Sequence, residues 1–430
     1  MEIRYPPGMG ISASFGRIPF LPPETSPDAR VLLTARGLRA FGDGFVSILL
    51  PVHLAQLGLN NFQIGAVATS TLLGSALLTL LVGFNAHRIG RRALLFRASA
   101  LMVVTGLGFA FLRDFWPLLL VAFLGTINPS SGDVSVFLPT ELALLPQTTS
   151  DAQRTALFAR FSMTGSLVAA LGALCAGGPS WLASQHGVSL EVGIDLMFVL
   201  YALLGIVALV LYRGLTPAVE PDKKTPPTAL GPSKRTVYSL AGLFSLDSFG
   251  SGLVVQSLLA LWLFQRFGFA VTTTGLIFFW TGILSALSAL LAVRISRRIG
   301  LINTAVFTHL PANACLMLAP FMPTVELSVI LLLVRSLFSQ MDVPVRNSYV
   351  MAVVTPPERP AAASITAVPK SLASALGPLL SGWLFSLSVF GWPLVLAGGL
   401  KGLYDVLLLL RFRALKPPEE QEQPSGRRST

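Results

Sequence analysis

The sequence predicts an all-α polytopic membrane protein: twelve transmembrane helices in two pseudo-symmetric six-helix bundles. Three observations carry this. Of 430 residues, 53% are hydrophobic and only 12% charged, about half the ~25% charged share of a soluble domain. Apolar runs such as STLLGSALLTLLVGF and DVLLLLRF approach the ~20 residues that cross a ~30 Å hydrocarbon core. A polar stretch near the middle separates two halves that echo each other.

The elements follow in order. Pro6, Pro7, Pro19, Pro22 and Pro23 make residues 1–30 an irregular tail, with no apolar core close enough to the early basic residues for a cleavable signal. Six spans are expected over 31–57, 62–84, 93–112, 115–145, 155–183 and 188–212, filling a first bundle of 31–212. Pro129 in TINPSSGD is expected to kink the fourth span and free carbonyls toward a cavity. Residues 213–235 are rich in Pro, Lys and Thr without an apolar face, and read as a flexible linker. Spans over 236–264, 270–293, 302–322, 326–354, 361–388 and 391–411 fill a second bundle of 236–412. A polar tail, 413–430, closes the chain.

An even number of crossings puts both termini on one side. The connections on that side carry Arg88, Arg91, Arg92, Arg97, Arg213, Lys223, Lys224, Lys234, Arg235, Arg294, Arg297 and Arg298, against little beyond Arg113 and Arg266 opposite. Lys and Arg collect in cytoplasmic loops, so both termini are expected in the cytoplasm of a protein of the cell membrane. The same rule explains the net charge of +11 without nucleic acid. Cys175 and Cys315 both fall in spans, which makes no disulfide framework and no metal motif. No cofactor is expected.

The halves match at a nearly constant displacement. Gly65 aligns with Gly275, and Arg88 and Gly90 with Arg298 and Gly300. DVSVFLPTELAL from Asp133 aligns with DVPVRNSYVMAV from Asp342. Arg154, Ser166, Leu167, Leu171 and Gly172 align with Arg359, Ser371, Leu372, Leu376 and Gly377. Three echoes in one order indicate a parallel internal repeat, and many secondary transporters build a central site between two such repeats.

GFNAHRIGRR, residues 83–92, resembles the loop signature of the major facilitator superfamily, Gly-x-x-x-Asp-Arg-x-Gly-Arg-Arg. Gly83, Arg88, Gly90, Arg91 and Arg92 match it, while His87 stands where the family usually has Asp. The resemblance implies a cytoplasmic gate at this loop, with its degenerate second copy at Arg298 and Gly300. Physically, arginines at a helix end bridge to carboxylates or carbonyls of a neighbour, and they also orient the chain during insertion. Asp133, Glu141, Arg154, Glu358 and Arg359 near the cytoplasmic ends of spans 4, 5, 10 and 11 are expected to add salt bridges between the bundles.

A charge at mid-membrane costs about 2.5–3.5 kcal/mol on insertion scales, so each one needs a partner, water or a function. At ~1.5 Å per residue, Asp43 lies about 18 Å into span 1, and Asp247 is expected at a similar depth in span 7. In the superfamily these helices border the central cavity, so both are candidates for proton coupling or substrate contact; the alternative is that each hydrogen-bonds a serine and only specifies packing. Arg335, Ser339, Asp342 and Arg346 share one stripe of span 10, where Asp342 and Arg346 could neutralise each other. Lys370, near mid-depth in span 11, needs either a carboxylate partner or an anionic substrate. Lys401 and Asp405 are expected to form a structural pair, because the twelfth helix is peripheral in the family.

These features point to a secondary active transporter, not an enzyme, that moves a small organic solute by alternating access, with protons as the coupling ion. Export of a drug or metabolite and a monomeric state in the lipid bilayer are expected. No Gly-x-x-x-x-Gly-Lys-[Ser/Thr] loop supports an ATP-driven pump, and four histidines without a His-Glu-x-x-His or Gly-x-Ser-x-Gly pattern support no hydrolase. A lipid flippase on the same scaffold and a non-transporting receptor stay open.

Overall fold

A computed structural model describes residues 25–85, 90–130, 136–220, 231–342, 346, 349–350, 353–355 and 358–412. All regular structure among them is helical. The first half contains α1 (Pro27–Gln56), α2 (Asn61–Asn85), α3 (Arg91–Phe111), α4 (Phe115–Leu124), α5 (Phe137–Leu144), α6 (Asp151–Cys175), α7 (Gly178–His186) and α8 (Leu190–Arg213). The second contains α9 (Lys234–Leu253), α10 (Gln256–Phe267), α11 (Val271–Ile299), α12 (Leu301–Leu318), α13 (Val325–Phe338), α14 (Arg359–Leu387) and α15 (Trp392–Phe412).

Nine stretches of the described residues are long and apolar enough to cross a membrane. The expected twelve spans differ from this in places with local causes. Span 4 is not continuous: α4 stops at Leu124, Gly125 turns extended (φ −81°, ψ −172°), and Pro129 follows before α5. Span 7 is likewise broken at Val254 and Val255, between α9 and α10. Span 5 becomes α6 and α7, with Pro179 in the first turn of α7, where its missing N–H costs nothing. The first helix begins at Pro27, inside the expected tail. The chain after α8 is anchored rather than loose: Leu215 and Val219 are buried, and Asp28 accepts from the Thr216 amide (2.9 Å) and hydroxyl (2.7 Å).

The outward surface is apolar. Phe111, Trp116 and Leu410, each more than 70% exposed, are the most open of many exposed large apolar side chains, a surface that only lipid tolerates. Inside, helices cross at glycines. A Cβ at Gly44 would stand 2.1 Å from the Ala169 carbonyl oxygen, and one at Gly252 2.1 Å from that of Ser374. These positions therefore join α1 to α6, and α9 to α14, backbone against backbone, as small residues do where lipid supplies no hydrophobic drive.

The apolar core is forked. Toward the end opposite the termini, one cluster runs through both halves, from Phe45, Leu49 and Ile64 to Leu258, Trp262 and Ile277. Toward the termini it divides in two. One cluster holds Leu32, Leu95, Phe161 and Tyr212 of the first half; the other holds Val237, Ala305, Tyr349 and Leu408 of the second. The contacts that join the halves agree with this. Asn61 bridges Gln265 (2.6 Å) and the Phe385 carbonyl (3.0 Å), and Gly65 packs on Pro378 and Gly382. Midway, the Ser257 amide of α10 donates to the Pro129 carbonyl at 2.9 Å. Two broken spans thus meet, each supplying a backbone group that an intact helix would have used internally.

Candidate functional site

Buried ions collect in each half where its core forks. In the first half, α1 brings Arg39 and Asp43 to one face, four residues apart. Arg39 donates from Nη2 to Oε2 of Glu141 on α5, and its guanidinium lies 4.1 Å from the centre of the Phe137 ring. The Tyr212 hydroxyl donates to the second Glu141 oxygen at 2.6 Å, so both carboxylate oxygens are matched. Tyr201, whose ring lies beside Gly42, donates to the Thr126 carbonyl freed by the break after α4 (3.1 Å). Arg39, Asp43, Thr126, Phe137 and Tyr201 line a common crevice.

The second half carries a longer network. Asp247 on α9 accepts from Lys401 Nζ at 2.7 Å and from Arg346 Nη1 at 2.9 Å. Arg346 also pairs with Asp342 at 3.3 Å and stacks over Phe244. Lys401 donates in addition to the Ser251 hydroxyl (2.7 Å). Beside them, Asp405 meets His309 Nδ1 at 2.9 Å and Asn313 Nδ2 at 2.8 Å. Removing a charge from water costs several kcal/mol, and each anion here answers with matched partners.

Of the expected site residues, Asp247, Asp342 and Arg346 are therefore brought together. Lys370, half-buried on α14, lies within electrostatic reach of this network. Arg335, half-buried on α13, stands apart beside Cys315. Lys401 and Asp405 do not pair with each other: Lys401 holds Asp247, and Asp405 holds His309 and Asn313. A helix places i and i+4 side by side, but here each found a stronger partner on a facing helix.

Asp43 and Asp247 are not equivalents either. Gly42 abuts Tyr201 as Gly250 abuts Lys401. With Gly44 and Gly252 also matched, Asp247 corresponds to Arg39, and Asp43 to Ser251. Arg39, Tyr201, Tyr212, His309 and Asn313 went unnoticed in the sequence, although the spacing of Arg39 and Asp43 is a signal that it carries.

At the terminal end, Glu141 turns inward to Arg39 and does not bridge the halves. Glu358 likewise serves its own half. It accepts from the hydroxyls of Thr355 and Ser233 and from the Gly231 amide; these donors hold its carboxyl down at about 2. Gly83 lies in the last turn of α2. Gly90 precedes α3, whose first amides, Arg91 and Arg92, donate to Glu220 at 3.1 and 2.9 Å. Arg91 also donates to the Ala143 carbonyl (3.1 Å), within the first half. Gly300 takes φ +84° between α11 and α12, where only glycine is unstrained, and Arg298 is exposed. His87, Arg88 and Asp133, and the side chains of Arg154 and Arg359, lie outside the described residues.

A family model described as Major Facilitator Superfamily matches residues 32–334 and 239–429. The chain belongs to this superfamily. As a member it is a transporter of a solute across a membrane. It is similar to an uncharacterized membrane protein of Saccharomyces cerevisiae, 24% identical over 422 residues and covering 90% of this chain and 94% of that one. Among solved structures, the nucleoside transporter NupG superposes with a TM-score of 0.68 at 17% identity, covering 90% of this chain and 98% of that one. A bacterial homologue of the human lysosomal transporter Spinster gives 0.68 at 15% identity, covering 90% and 96%. At such identities these two structures speak for the fold alone.

Proposed function

We propose that this transporter moves a small organic solute by alternating access and is driven by protons, with Asp43 as the group that takes them up. The forked core carries the reading: the halves share one apolar core at one end and have separate cores at the other. Two rigid bundles joined at one end rock most cheaply about the level where the core divides, and that is where both ion networks lie. A ligand shifts such an equilibrium only through different affinity for the two arrangements. The proton meets this condition at Asp43. Asp43 is buried one turn from Arg39 and lines the crevice that Arg39 shares with Tyr201, so a proton taken up there changes the charge of a buried cluster at the level where the core divides. Asp247, clasped by two cations, is the poorer acceptor.

The test uses a solute found by its stabilisation of the purified protein in a thermal-shift screen. In proteoliposomes with an imposed proton gradient, the parent is expected to accumulate it uphill. Asp43→Asn keeps the shape and removes the titration, so it is expected to lose uphill transport and retain counterflow. Uphill transport by Asp43→Asn at the parental rate contradicts the assignment, and a parent that moves none of the compounds it binds contradicts the transport reading.

A further inference from the structure

Resting on the transporter reading above, we infer that Lys370 is the recognition point for a negatively charged group of the solute, which is therefore an organic anion bearing a carboxylate or phosphate. Lys370 lies about 17 Å from the start of α14, near mid-membrane. It points inward: Arg346, Asp247, Asp342 and Lys401 are the charges within its reach. The lipid side of α14 is the opposite face, where Leu376, Trp383 and Leu387 are 54%, 48% and 65% exposed. Yet Lys370 is only half-buried, and Ala363 and Ala367 on its own face are exposed. A side chain that faces the bundle interior and is still open can only be open to the gap between the halves. Ala363 and Ala367 put no large side chain beside the ammonium group on this face.

The charges around Lys370 are already balanced among themselves. Asp247 is occupied by Lys401 and Arg346 at 2.7 and 2.9 Å, and Asp342 by Arg346 at 3.3 Å. Two carboxylates against two cations sum to zero, and Lys370 makes no ion pair among the described residues. Its own charge is thus left over in a setting where an isolated cation is costly. An anion entering the gap would be met by a charge that no internal carboxylate claims. A cation would meet repulsion from Lys370, with Asp247 and Asp342 already engaged. A neutral compound would leave the ammonium group as it was.

Matched pairs differing only in ionisation test this: benzoate against benzamide, glucose 6-phosphate against glucose, and adenosine monophosphate against adenosine. Each is titrated against the purified parent, Lys370→Gln and Lys370→Arg, with melting temperature as readout; equal ligand-free melting temperatures show that the variants are folded. In at least one pair the anion is expected to stabilise the parent and its neutral partner not. Lys370→Gln is expected to weaken that binding by about tenfold or more, the worth of one charge-assisted hydrogen bond, and Lys370→Arg to restore most of it. The inference is overturned if neutral members stabilise as well as anions, if Lys370→Gln binds the anion as the parent does, or if no anion stabilises the parent. Flux of the same compounds in proteoliposomes is read separately. Anion binding without flux removes the transport reading and leaves the anion site; flux of neutral compounds alone does the reverse.

Discussion

Glu141→Leu is expected to destabilise the first bundle by about 3–5 kcal/mol, the cost of stranding one partner of a buried ion pair. Glu141 is fully buried, and Arg39, which donates to it, is 2% exposed. Without the carboxylate, the guanidinium retains the face of Phe137 but loses its hydrogen-bonded ion pair, and the Tyr212 hydroxyl loses its acceptor. The double variant Arg39→Met with Glu141→Leu is expected to recover most of the loss, because apolar side chains of similar volume often replace a buried pair at little cost. Unfolding titrations in detergent micelles compare the four proteins. A single variant as stable as the parent, or a double variant no better than the single, contradicts this account of the cluster.

Gly44→Ala and Gly252→Ala are expected to abolish the folded protein or nearly so. Each new Cβ would stand 2.1 Å from a carbonyl oxygen of the crossing helix, and even a weak C–H···O contact needs ~3.3 Å. The helices would have to part by about 1 Å, opening a seam in a core packed as tightly as a crystal. Neither side can yield by rotating a side chain, since the opposing atom is backbone. Gly242→Ala is the control: nothing lies within 4 Å of its Cβ, and alanine favours a helix by up to about 1 kcal/mol. Yield and monodispersity on size-exclusion chromatography separate the outcomes. A monodisperse Gly44→Ala at parental yield contradicts the close crossing.

The fold was legible because its causes are written locally. Apolar runs of membrane length, a basic loop repeated as Arg298 and Gly300, and aligned glycines such as Gly172 and Gly377 each report a constraint that acts wherever the residue stands. The breaks were half legible. Pro129 announces one, but Val254 and Val255 carry no breaker, and their bend is sustained by the contact of Ser257 with the Pro129 carbonyl across the halves. The sites were least legible, since charge pairing is decided by facing helices. Asp342 and Arg346 were visible as neighbours on one stripe. Lys401 looked peripheral until Gly250 let it reach Asp247, and Glu141 looked like a bridge between halves until Arg39 and Tyr212 claimed it.

The central claim is that the two halves rock about the level where the core forks, with protons biasing the motion. Paired spin labels measure this directly. One pair, at Gln56 and Ala270, spans the joined end; the other, at Ala93 and Ile299, spans the divided end. All four positions are exposed. Distance distributions recorded at neutral and at acidic pH are predicted to hold two populations at each end. Acidification should shift their weights in opposite directions, one end closing as the other opens. A single distance at each end, the same at both pH values, would contradict the account.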